Sequence, residues 1–289
     1  MAETNLRQAN AKASVAGVVS EKSLEVVTEE GKIKIKGFVT VKTSDVNFVK
    51  FNVNVSEKTK TGTDNKAYPG IVTVMNEYKS IAEVGEEAAS RVRVTGDISP
   101  FTGRDGNNVV SYKTNFFNRQ REPEDPKAEF SIELFISGIN PEMDNEGIET
   151  GRTIVSGWVP TYNGIEPIEL VAEGEVGQAV ESSFEPGQTV EFYGDIVNNR
   201  IETVTEIPVK IGKPRKKIDV KVKNDLIITG ASEAYEEGVS VEAPYNAETI
   251  QAAIQERKNR LEELKAKSQG GTKTSTKPSG AAHGRTLGF

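Results

Sequence analysis

The sequence has no cysteine, one histidine and one tryptophan, and each shortage removes a class of chemistry. Without cysteine there is no disulfide framework, thiol nucleophile, zinc ribbon or iron–sulfur cluster. The one histidine, His283, lies in a Gly/Ser/Ala-rich stretch near the end, which leaves histidine acid–base chemistry and histidine-ligated metals without a basis. No run approaches the roughly 18 apolar residues of a spanning helix, and residues 1–14 lack the apolar core of a signal peptide. Gly62, Gly70, Gly103, Gly106 and the Gly270-Gly271 pair form no phosphate-binding loop ending in Lys-Ser/Thr. The expectation is a soluble cytoplasmic chain (host cytoplasm if viral) that meets no membrane, uses no cofactor and is not an enzyme. An acidic metal-dependent nuclease built on Asp97, Asp105 and Glu77 is the surviving catalytic reading.

What is present is length and uneven charge. The 289 residues, 36% hydrophobic and 27% charged, suffice for two modest domains with cores of their own. The net charge of −7 hides a basic–acidic–basic order. Residues 1–121 hold 18 Lys/Arg against 14 Asp/Glu, residues 122–210 hold 4 against 19, and residues 211–289 hold 14 against 10. The acidic middle repels a polyanion, so a nucleic-acid surface is expected in the first or last third.

Apolar residues alternate with period two in the first third, which reads as half-buried strands. Ile33, Ile35, Val39 and Val41 share one face and Lys34, Lys36, Phe38, Thr40 and Lys42 the other. Val49, Phe51, Val53 and Val55 face inward while Phe48, Lys50, Asn52 and Asn54 face outward; Val92, Val94 and Ile98 face inward while Arg91 and Arg93 do not. A weak repeat follows. Gly37-Phe38-Val39 recurs as Gly157-Trp158-Val159, and Gly96-Asp97-Ile98 as Gly194-Asp195-Ile196, in the same order and in all-β surroundings.

On these parts, residues 33–118 resemble the oligonucleotide-binding (OB) barrel of bacterial and phage single-stranded DNA-binding proteins, and residues 130–207 resemble it more loosely. The matching parts are strands at Ile35 to Val41, Phe48 to Lys60 and Tyr68 to Met75, a helix-like stretch at Asn76 to Ala89, and strands at Val92 to Ile98 and Val109 to Phe117. The resemblance implies a mainly β fold with two tandem OB-like barrels, at 13–121 and 128–210. A strand and an amphipathic helix are expected within 211–267, the helix carrying Ile250, Ile254, Leu261 and Leu264, and a disordered tail at 268–289. Cellular members end in an acidic tail with an apolar tip; this chain ends Gly284-Arg285-Thr286-Leu287-Gly288-Phe289, which favours a phage-type variant.

Single-strand sites combine a cationic groove with aromatic faces that stack bases. Phe38 and Phe48 fall on lysine-bearing faces, where base stacking competes with packing against a loop or partner. The candidate nucleic-acid-binding set is Lys34, Lys36, Phe38, Phe48, Lys50, Lys58, Lys60, Lys66, Tyr68, Arg91, Arg93, Phe101, Arg104, Lys113 and Phe117. Tyr112 and Phe116 share a face with Val110 and read as core. Trp158 aligns with Phe38 but lacks surrounding cations, so core or inter-domain packing is expected of it. The implied function is coating of single-stranded DNA, with RNA as a variant, in phage replication or recombination. Replication or recombination proteins would meet the acidic barrel, helix or tail. The reading from another class is a viral assembly protein using both barrels as contact modules.

Overall fold

The computed structural model describes residues 6–269 apart from 104–105, 123, 208–214 and 241. The alternation read from sequence becomes strands β1 (Ala11–Glu29), β2 (Lys32–Lys42), β3 (Phe48–Ser56), β4 (Arg91–Thr102), β5 (Asn108–Lys113) and β6 (Phe117–Arg119). Helices α1 (Ala67–Glu77) and α2 (Ile81–Val84) lie between β3 and β4. Val49, Phe51, Val53 and Val55 of β3 are buried and Lys50, Asn52 and Asn54 exposed, as pleating requires. Strand β1 pairs with β2, β2 with β3, β3 in parallel with β5, β5 with β4, and β4 back with β1. The ring has no open seam, which is how a small β domain disposes of sticky edges.

The second half repeats this wiring. Strands β7 (Lys127–Met143), β8 (Glu149–Thr161), β9 (Gly164–Glu173), β10 (Thr189–Ile207) and β11 (Arg215–Ala231), with α3 (Gly174–Ser183) after β9, close through β7–β8, β8–β9, parallel β9–β11, β11–β10 and β10–β7. The barrels join edge to edge where β1 runs antiparallel to β7 with Ala13 opposite Phe130. Ala13 also pairs with Gly96 and Phe130 with Gly194, so these residues hold the same station in their barrels. A local two-fold axis therefore passes through the Ala13–Phe130 pair, giving an isologous contact inside one chain.

The repeated glycines sit where strands approach too closely for a side chain. A Cβ on Gly194 would lie 1.9 Å from the Ile227 carbonyl oxygen; one on Gly96 would lie 2.8 Å from the Phe51 ring. Gly194→Ala is expected to cost about 1–3 kcal/mol through forced backbone shifts. A thermal melt checks this, and an unchanged Tm would show that the seam yields freely.

Three sequence expectations need correction. Tyr68 to Met75 is the body of α1, not a strand: Ala67, Ile71, Val74 and, just beyond, Tyr78 are buried at helical spacing, and the β-branched composition is overridden by that periodicity. The second barrel does not end at 210. Ile207 stands opposite Arg215, and β11 pairs with β9 and β10 to close the barrel. The last helix, α4 (Ala247–Gln269), is capped by Asn246, whose Oδ1 accepts the N–H groups of Glu248 at 2.9 Å and Thr249 at 3.1 Å. It docks through Ile250, Ala253, Ile254 and Arg257, while Leu264 is exposed because the helix runs past the barrel it rests on. Of the tail expected at 268–289, the first two residues belong to α4, and 270–289 lie outside the described residues. Among the described residues no helix is long and apolar enough to cross a membrane.

Candidate nucleic-acid interface

The outward face of β3 is the floor of a cleft of about 2260 Å³ between the two barrels. Phe48, Lys50, Asn52 and Asn54 lie along it. Outward residues of β4 and β5 flank the floor, including Asp97, Ser99, Phe101, Val109, Ser111 and Lys113. The second barrel supplies the opposite wall with Tyr162 from the β8–β9 turn, Glu166 to Glu169 of β9, and Asn198, Arg200, Val222 and Asn224 of the β10–β11 hairpin.

Two clasps hold the walls apart at a set distance. The β2–β3 turn grips β10: Asn47 Nδ2 donates to the Ile196 carbonyl at 2.9 Å, its Oδ1 accepts the Asn198 N–H at 2.8 Å, and the Arg200 N–H donates to the Val46 carbonyl at 2.8 Å. Elsewhere Arg257 of α4 donates to Glu166 at 3.0 Å and to Thr102 of the first barrel, joining helix and both barrels. Tyr112, a core residue of the first barrel, hydrogen-bonds Asn198 of the second, and burial raises its phenol above the ordinary range.

Exposed apolar side chains gather here. Phe101, Val109, Phe116, Tyr162, Val222 and Val46 are all exposed large hydrophobics lining this one cleft, with Phe116 at 63% and Tyr162 at 79% exposure. A concentration of this kind marks a binding surface, whereas scattered exposed residues would not. The carboxylates on the walls are largely answered. Asp97 meets Lys12 at 2.5 Å, Glu166 meets Arg257 and Arg260, Asp225 meets Arg152 at 2.5 Å and Lys223 at 3.1 Å, and Asp45 meets Lys42 at 3.0 Å. The acidic second barrel thus faces the cleft with much of its charge neutralised, while Lys50 and Lys113 make no ion pair among the described residues.

Of the residues singled out from sequence, Phe48, Lys50, Phe101 and Lys113 line the cleft. Phe38 lies beside it with Lys50 Nζ 3.7 Å from its ring centroid, so one aromatic face carries a cation. Lys60 lies at the far end, 5.7 Å from the ring centroid of Tyr162. Lys34 and Lys36 grip Glu29 across the β1–β2 hairpin and hold its carboxyl below the usual range. Lys58 pairs with Asp64 at 2.5 Å and Lys66 is exposed at the start of α1. Arg91 and Arg93 stand on β4 beyond the cleft, and Arg104 lies outside the described residues.

One assignment is corrected outright. Phe117 is 8% exposed, edge-on to Phe51 at 6.4 Å, and belongs to the core. Phe117 therefore presents no free face for a base. Tyr68 is half-buried against the core in the first turn of α1. Sequence reasoning missed Phe116 and Tyr162. The signal for Tyr162 is an aromatic in the two-residue turn of Thr161-Tyr162-Asn163-Gly164, where no core exists to receive it.

Trp158 packs as expected of an inter-domain residue: half-buried against the core, with the Arg257 guanidinium 5.8 Å from its ring. Trp158→Ala is expected to cost about 2 kcal/mol, below the roughly 3–5 kcal/mol of a fully buried tryptophan. Chemical denaturation would read the loss. A variant as stable as the parent would show that α4 does not rely on this ring.

Of the carboxylates in the nuclease reading, Asp97 meets Lys12, Glu77 ends α1, and Asp105 lies outside the described residues. Among the described residues no three His, Asp or Glu side chains gather to hold a metal.

Ten strands closed as two identically wired five-stranded rings, each with a helix before its fourth strand, define a tandem OB-fold protein. A family model described as YorF matches residues 10–267, and the chain belongs to that family. Among curated proteins none matches the sequence. Similar solved structures include the wild-type single-stranded DNA binding protein from Thermus aquaticus, at 8% identity and TM-score 0.49, covering 82% of this chain and 98% of that one. Another is a replication protein A heterotrimer bound to ssDNA, at 9% identity and TM-score 0.20, covering 80% and 67%.

Proposed function

We propose that this chain is a non-catalytic, sequence-tolerant single-stranded DNA-binding protein, and that the strand lies in the cleft between its barrels. The observation that carries the reading is the concentration of Phe48, Phe101, Phe116 and Tyr162 around Lys50 and Lys113 in that one cleft. Aromatic faces accept any base, each stack contributing roughly 1–3 kcal/mol, and cations meet the backbone. Fold alone does not decide function, so the weight falls on these side chains. Coating of exposed strands in phage replication or recombination, in the host cytoplasm, follows from the resemblance of residues 33–118. Replication or recombination proteins are assigned to the exposed distal half of α4 and the acidic outer face of the second barrel.

Fluorescence anisotropy with labelled oligothymidine tests the reading. Binding should weaken steeply with salt, with a log–log slope of about −0.7 for each phosphate engaged. Stacking grooves accept ribose as well, so oligouridine is the comparison. No binding at low salt would overturn the proposal. Equal displacement by duplex DNA and heparin would instead reveal a generic cation patch and favour the assembly reading.

A further inference from the structure

The outward face of β4 does not stop at the cleft. Phe101, Ser99, Asp97 and Thr95 line it, and the same face continues through Arg93 to Arg91. Strand β6 runs alongside, with Asn118 opposite Arg93. Asn118 borders both the cleft and a shallow hollow of about 430 Å³ that is walled by Arg93, Arg119, Arg121, Glu122 and Glu124. Exposed Phe116 stands just before it in the chain.

The occupant of this hollow is a carboxylate. Arg93 Nε donates to Glu124 Oε2 at 3.0 Å, its Nη2 contacts Oε1, and Gln120 Nε2 also donates to Oε2. Two parallel bonds from a guanidinium fork are the geometry arginine uses for carboxylate and phosphate alike. Arg121 and Arg91 are exposed, with no side-chain partner among the described residues. Arg119 is held in place over the Tyr78 ring at 4.6 Å and donates to the Glu77 carbonyl at 3.1 Å. Three arginines line the hollow beside Glu122 and Glu124, and Arg91 stands next along the same face of β4, more cationic groups than the one Arg93–Glu124 pair needs.

We infer that the nucleic-acid path leaves the cleft over Phe116 and Asn118 and continues onto this arginine cluster. Glu124, in the segment joining the barrels, occupies the place of a backbone phosphate until a strand long enough to reach it takes over Arg93. The inference rests on the cleft as the primary site and adds an exit track with a built-in competitor. Short strands fill the cleft without meeting Glu124; longer ones must displace it.

The test compares labelled oligothymidines of graded length on the full chain, with Glu124→Gln and Arg121→Ala variants. Beyond a threshold length the parent's salt slope should steepen by about 0.7 for each further phosphate held. Glu124→Gln should tighten only the longer oligomers, by about two- to fivefold, the range set by removing an exposed ion pair. Arg121→Ala should remove about 0.7 from the slope of the longer oligomers alone. If Glu124→Gln tightens short and long oligomers equally, or neither, and Arg121→Ala leaves the slope intact, the exit track is wrong while the cleft stands. If short oligomers fail to bind the parent at all, the cleft reading itself falls.

Discussion

Arg7→Ala is expected to destabilise the protein by about 3–5 kcal/mol, the loss seen when one partner of a buried ion pair is removed. Glu133 projects from β7 with a side chain only 1% exposed. Arg7 grips it through both terminal nitrogens, Nη1 to Oε2 at 2.8 Å, and the Asn10 N–H donates to the same oxygen at 3.1 Å. Glu191 of β10 stands directly opposite Glu133 in the sheet, so a Glu133 without Arg7 would face a like charge unanswered. The hydrogen bond to Glu133 raises the Arg7 guanidinium above its already high ordinary value, so Arg7 stays charged throughout the working range of pH. Arg7 further donates to the Ala243 carbonyl at 3.0 Å and lies 4.7 Å from the Tyr245 ring centroid. It thereby ties the N-terminal segment and the approach to α4 onto one barrel. The fall in Tm should be on the order of 10 °C for a chain of this size. Arg7→Met combined with Glu133→Leu should recover most of it, because no charge is then left buried. A fall under about 2 °C in the single variant would show that Glu133 finds water or another partner.

Barrel wiring was legible because it is written in short-range pattern. Period-two alternation located β2, β3 and β4, and the glycines at 96 and 194 marked equivalent stations where strands nearly touch. Pattern failed where the chain changes direction. Counting faces onward from Val110 places Phe116 inside, but β5 ends at Lys113 and a turn follows. There Thr114 Oγ1 donates to the Thr95 carbonyl at 2.8 Å and accepts the Phe116 N–H at 3.1 Å. That turn shifts the parity by one, so Phe117 enters the core and Phe116 faces the cleft. The second wall was illegible for another reason. Tyr162, Asn198 and Arg200 are brought to the first barrel by the β1–β7 seam and the Asn47 and Arg257 clasps, contacts whose partners lie more than ninety positions apart in the chain. Segment charge misled as well, since a surplus of carboxylates along residues 122–210 says nothing of which ones meet Arg257 or Arg152.

Replacing Phe48 and Phe101 together with alanine is expected to weaken oligothymidine binding by about 2–6 kcal/mol, two stacking contacts' worth if they add. Affinity would fall by about thirtyfold to more than ten-thousandfold. Both rings line the cleft, Phe48 on the floor strand β3 and Phe101 on the outward face of β4 near its end. Neither belongs to the buried core, so the double variant should melt within a few degrees of the parent. Lys50→Ala provides the contrasting signature. It removes a cation and no stacking ring, so the salt slope should fall by about 0.7 while the salt-independent part of the affinity changes less. The aromatic pair should do the opposite, lowering affinity at every salt concentration with the slope preserved. Salt titrations of both variants separate stacking from counterion release in one experiment. If the double alanine variant binds as tightly as the parent, bases do not stack on this floor and the path must run elsewhere on the molecule. If it loses slope along with affinity, the two rings act by positioning lysines, and the aromatic faces are not the platform proposed.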